Sequence, residues 1–90
     1  MTINFTATWS KLTAAEITTA DAIAETFEDE NDDVEVEFGV GNDTIGVPFR
    51  FFSADEASDH IDTLLDRGDW GKSDDTELFV FARIRRWQWR

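Results

Sequence analysis

The side chains with chemical reach in this 90-residue chain are nearly all carboxylates: 20 Asp and Glu against 8 Lys and Arg, with one His and neither Cys nor Tyr. The missing cysteines remove disulfides, thiolate nucleophiles and Cys-based zinc sites together. His60 is flanked by Asp59 and Asp62, but the serines are scattered through loops, and no nucleophile–base–orienter set is legible around it. It reads as a partly exposed helix histidine. Carboxylate pairs abound, yet general acid–base chemistry needs a pocket around them, and the sequence points to none. The expectation is a protein that is not an enzyme, with no catalytic residue and no cofactor.

Metal chemistry is the next use for clustered carboxylates. The run from Glu28 to Asp33 reads EDENDD. Counted as an EF-hand loop from Asp29, it has Asn31 and Asp33 in place, but Val34 stands where the sharp turn requires Gly and Val40 where a bidentate Glu belongs. No dedicated metal site is expected.

What remains is charge as such. The formal net charge is −12, which keeps a small domain soluble and steers it toward cationic partners. Phosphates would be repelled, so nucleic acid is disfavoured as a direct ligand, whereas a basic surface that normally holds DNA or RNA would be attracted. The carboxylates are also ordered. Asp55, Asp59, Asp62 and Asp66 recur in steps of four, three and four, one face of a helix, with Asp69 just beyond. Like charges at that spacing each cost a few tenths of a kcal/mol, roughly 0.2–0.5. A second group, Glu25, Glu28, Asp29, Glu30, Asp32 and Asp33, crowds a helix C-terminus, where the macrodipole disfavours anions. Locally unfavourable choices of this kind point to function. Successive carboxylates in the stripe stand about 5–6 Å apart along a helix. That is near the charge spacing of a nucleic-acid strand, roughly one per 3.4 Å of axis.

In size, acidity, lack of cysteine and carboxylate rows at Asp55–Asp69 and Glu25–Asp33, the chain resembles the small acidic DNA-mimic inhibitors of phages and mobile elements, of the anti-CRISPR and antirestriction type. The resemblance implies a stoichiometric, cytoplasmic inhibitor that covers the basic DNA-binding surface of a host defence nucleoprotein complex. It rests on character over the whole chain and transfers no functional residue. Two other readings fit the composition. One is a salt-adapted acidic protein-interaction module, suggested by twelve Asp and only two Lys. The other is an antitoxin-like partner of a basic protein. The N-terminus has no basic stretch followed by an apolar run, and no window approaches the ~18 apolar residues of a membrane span. A cytoplasmic protein without membrane contact is expected, as a monomer or homodimer.

Periodicity supplies the elements that must carry these rows, within a single domain spanning residues 1–90. Ile3, Phe5, Ala7 and Trp9 alternate as the inward side of a first strand. Thr13-Ala-Ala-Glu16 is a capping box, opening a helix to about Glu28 that buries Ile17, Ala20, Ile23, Ala24 and Phe27. Val34, Val36 and Phe38 mark a second strand, and Ile45, Val47, Phe49 and Phe51 a third, with a bulge or an unpaired stretch expected at Pro48. Gly39 and Gly41-Asn42-Asp43 are expected to supply positive-φ turn positions between them. Ser53-Ala-Asp-Glu56 repeats the capping box for a helix burying Ala57, Ile61, Leu64 and Leu65 and stopping at Gly68. The order β-α-β-β-α-β predicts a ferredoxin-like α+β sandwich, a four-stranded antiparallel sheet with both helices on one face.

The last strand runs from Glu77 into Arg85-Arg-Trp-Gln-Trp-Arg90. Counting by two puts Phe79, Phe81, Arg83, Arg85, Trp87 and Trp89 on the helix-free face, and Leu78, Val80, Ala82, Ile84, Arg86, Gln88 and Arg90 on the other, which starts as core and turns polar at its end. For Arg83 and Arg85 the expectation is pairing with Glu35 and Glu37 across the sheet or with the acidic loops. Phe79, Phe81, Trp87 and Trp89 admit two readings, rings that cover sheet surface or an exposed apolar–cationic patch that serves as a second interface.

Overall fold

The computed structural model describes residues 5–68, 70–71 and 76–86. Six elements follow one another: β1 (Ser10–Lys11), α1 (Ala14–Glu30), β2 (Val34–Asn42), β3 (Gly46–Phe51), α2 (Ala54–Asp66) and β4 (Phe79–Arg86). The four strands form one antiparallel sheet in the order β1-β4-β2-β3, so β4 lies between β1 and β2. Both helices pack on the same side. The architecture is the expected α+β sandwich in β-α-β-β-α-β order, a four-stranded antiparallel sheet with β2 and β4 at its centre.

The core is built from one parity of each central strand. Val36, Phe38 and Val40 of β2 stand opposite Ile84, Ala82 and Val80 of β4 and meet Ala20, Ala24, Ala54, Ala57 and Leu64 from the helices. Small alanines on both helices let the helix backbones approach the sheet, while Ile17, Ile23, Phe27 and Ile61 close the sides. The expected inward set of α1 is therefore present. On α2, Leu65 departs from expectation: it is 43% exposed, because the stripe facing the sheet ends at Leu64.

Both helices start where their sequences place them, α1 with the full capping box and α2 with only the Ser53 half of the expected one. Thr13 and Glu16 make a reciprocal capping box, with the Glu16 amide donating to Thr13 Oγ1 at 3.2 Å and the Thr13 amide to Glu16 Oε1 at 2.9 Å. At α2 the Glu56 amide donates to Ser53 Oγ at 3.1 Å. The adjacent amides of Ala54 and Asp55 donate to the Asp21 carboxylate of α1, at 2.6 and 3.1 Å. A side chain from one helix thus caps the other. Gly68, at φ +82°, ends α2 as expected.

Three expectations about the strands need correction. The first strand is only Ser10–Lys11, and the chain bends at Ala7 and Thr8. Thr6 Oγ1 donates to the Thr8 carbonyl at 3.0 Å, so a side-chain hydroxyl competes with the ladder there. As a result Phe5 and Trp9 part company. Phe5 packs edge-on against Phe27 of α1, 5.5 Å between ring centres, whereas Trp9 lies on the helix-free face over Arg83. Ala7 is exposed, and Ile3 lies outside the described residues. Second, Gly39 and Gly41 are strand residues without positive φ. Of the glycines between β2 and β3, Gly46 adopts it, at +74°. Gly39 and Gly41 are needed for closeness: a methyl group at Gly39 would crowd Val47, the Phe49 carbonyl and the Trp9 ring, and one at Gly41 would strike the Gly46 backbone. Third, Ile45 is in the turn and 40% exposed. The turn is held by Asn42 Oδ1, which accepts from the Thr44 and Ile45 amides at 2.9 and 2.8 Å. The bulge expected at Pro48 is present: between the pairs Val40–Phe49 and Asn42–Gly46, Val47 and Pro48 together face the single residue Gly41.

Candidate interaction surfaces

The layering separates charge. Helix α1 carries six Asp or Glu and α2 five, and neither contains a Lys or Arg. The strands carry Lys11, Arg50, Arg83, Arg85 and Arg86 against only Glu35 and Glu37. The two helices are acidic along their length, with Arg67 following as the C-cap of α2. The helix-free face carries Lys11, Arg50, Arg83 and Arg85 against Glu35 and Glu37, a positive excess, while Arg86, opposite Val34, has the helix-side parity.

On the acidic side, Asp55, Asp59, Asp62 and Asp66 of α2 are all exposed, as are Glu25, Asp29 and Glu30 of α1 and Asp32 and Asp33 beyond it. The helices run antiparallel, since Asp21 meets the start of α2 while Ile17 and Ile61 line one groove further along. The C-terminal half of α1 therefore extends past the α2 N-terminus. Asp21, Glu25 and Asp29 recur every four residues on α1, so the two rows adjoin at the Asp21 cap. Two acids of the helix layer act within the fold: Asp21 as that cap, and Glu28, half-buried, whose Oε2 accepts the Val36 amide at 3.2 Å. Glu28 was expected among the free carboxylates, and instead it ties the helix end to β2. Asp69 lies outside the described residues.

On the helix-free face, Glu37 is the organising group, only 4% exposed. Arg83, directly opposite on β4, donates to it from Nε at 2.9 Å and Nη2 at 2.8 Å, and Arg85 approaches at 3.9 Å. This is the expected cross-sheet pairing for Glu37. Glu35, opposite Arg85, makes no ion pair among the described residues. The Arg83 guanidinium also lies 4.3 Å from the centre of the Trp9 ring, and Lys11 Nζ lies 4.2 Å from that of Phe79. The patch is therefore less apolar than expected. Phe81 is buried and faces the gap left by Gly39, and Phe79 is half-buried under Lys11. Trp87 and Trp89 lie outside the described residues. An exposed Phe52, at 75%, follows β3 at the bend into α2; its type alone, before a helix cap, did not reveal it.

His60 is half-buried between Phe49 and Phe51, with ring centres 4.7 and 5.1 Å away, and its Nε2 is buried with no hydrogen-bond partner. The contact is one of packing, with no carboxylate or hydroxyl placed on that nitrogen. Among the described residues, no three His, Asp or Glu side chains are grouped closely enough to hold a metal ion, and no helix is long and apolar enough to cross a membrane. A groove of about 390 Å³ at the start of α1 is lined mainly by Leu12, Ile17, Ile61, Leu78 and Val80. No protein-family model matches the chain, and neither a curated protein nor a solved structure is significantly similar to it.

Proposed function

We propose that the protein is a non-enzymatic acidic decoy that occupies the basic nucleic-acid-binding surface of another protein, of the kind found in host defence complexes. The observation that carries this reading is the helix layer, with eleven carboxylates and no Lys or Arg within its two helices. Stability alone gives no reason for that composition, because each like-charged pair along α2 costs a few tenths of a kcal/mol, roughly 0.2–0.5. Held on helices, the carboxylates form rows that a Lys/Arg groove can meet as it meets phosphates. Association would be fast, steered by charge, and weakened as salt rises.

Asp59 and Asp62 lie mid-row and fully outward, so they test the proposal with little risk to the fold. The double substitution Asp59→Lys/Asp62→Lys should abolish displacement of labelled DNA from a basic target while circular dichroism stays native. Undiminished displacement by the double variant would overturn the assignment.

Salt adaptation is the second reading, favoured by the twelve Asp and two Lys and by the acids that lie outside the helices. In that case the helix layer is a solvated face, and the sheet side becomes the surface of interest.

A further inference from the structure

The helix-free face has the opposite sign from the helix layer, and three of its four cations, Lys11, Arg50 and Arg85, are exposed. Arg50 is exposed and makes no ion pair among the described residues. The Arg85 side chain is 59% exposed and only loosely attached to Glu37. Lys11 and Arg83 lie over the rings of Phe79 and Trp9, so the aromatic groups there are covered by charge. That arrangement disfavours an apolar partner, and it also disfavours a nucleic-acid strand, which would need free ring faces for its bases to stack on. Carboxylates suit it: Arg50 and Arg85 are exposed, and a guanidinium there can donate its N–H edge to an incoming acceptor.

We infer that this face docks the acidic helix layer of a second copy of the chain, so that molecules associate head to tail, sheet on helices. The two surfaces are complementary in sign, and being opposite sides of one body they match in footprint. The molecule measures 42 × 30 × 18 Å. Its broad faces are large enough for the roughly 800 Å² per partner of a standard interface. A net charge of −12 does not forbid the contact. At about 0.1 M salt the screening length is ~10 Å, shorter than the 18 Å thickness. A docking surface then senses the face before it more than the acids behind. The inference rests on the charge separation alone and stands independently of the decoy reading.

The same physics gives it a signature. At ~0.01 M salt the screening length is ~30 Å and whole-molecule repulsion governs; at ~1 M it is ~3 Å and the attraction itself is screened. Sedimentation equilibrium on the intact chain across this range should give a mass above the 10.3 kDa monomer near the middle and the monomer mass at both ends. A monomer throughout would overturn the inference, as would a mass that climbs steadily with salt, the mark of apolar sheet-to-sheet contact. The variants Arg50→Glu/Arg85→Glu and Asp59→Lys/Asp62→Lys should each associate roughly tenfold more weakly or worse, as expected for loss of exposed ion pairs. Their equimolar mixture should associate again, because one retains the acidic face and the other the basic one. Cooperative melts well above the assay temperature for both variants would exclude unfolding as the cause. Wild-type association by either variant alone, or no recovery in the mixture, would refute the pairing of these faces.

Discussion

Asp21 is a small residue with a large structural reach. Its two oxygens accept the first amides of α2, from a helix more than thirty residues earlier in the chain. Charge-assisted bonds at a helix N-terminus are among the stronger local interactions. Asp21→Ala should therefore lower unfolding stability by about 1–2 kcal/mol, read from urea titration. A loss below a few tenths would show that Ser53 suffices as the cap. Gly39 is the second residue of this kind. Gly39→Ala drives a methyl group into the Phe49 carbonyl, 2.9 Å away, and into the Trp9 ring, 3.1 Å away. It should cost about 1–3 kcal/mol, with a change in tryptophan fluorescence as Trp9 is displaced. Neither role was legible in the sequence. Nothing nearby marks Asp21, and Gly39 reads as a turn residue, because both act on partners eight or more positions away.

Local signals were legible wherever the chemistry was local. The capping box at Thr13, the Gly68 stop and the break at Pro48 each depend on a few adjacent residues, and each is found where the sequence placed it. The alternation in β2 and β4 sorted core from face correctly. It failed at β1 because periodicity is blind to hydroxyls that take backbone bonds, as Thr6 does at Thr8. The acidic rows were legible as rows, but their adjacency was not, since it depends on the antiparallel packing of α1 and α2. For α2 itself the like charges predict a direct test. In Asp59→Lys/Asp62→Lys the repulsive pairs with Asp55 and Asp66 become attractive, so the melting temperature at low salt should rise, reflecting roughly 0.2–0.5 kcal/mol per pair. A lower melting temperature would mean that the carboxylates stabilise the helix through contacts beyond their own row.

For the molecule as a whole, the first question is whether its acidity belongs to its task or to its habitat. Thermal melts in KCl from about 0.01 M to 1 M separate the two, because the screening length falls about tenfold over that range. If the charge serves a partner, the chain is folded at low salt and its stability changes little above about 0.1 M. A chain that folds only near molar salt would favour the salt-adapted reading and remove the need for a decoy. The strand order adds a consequence for biosynthesis. β4 leaves the ribosome last of the six elements, yet it is an inner strand, hydrogen-bonded to β1 on one side and β2 on the other. Until it emerges, β1 has no ladder partner and the inner edge of β2 is open, an invitation to pair with a neighbouring nascent chain. During that interval the eleven helix carboxylates are already made, and mutual repulsion between half-finished chains on one messenger would act as a built-in chaperone.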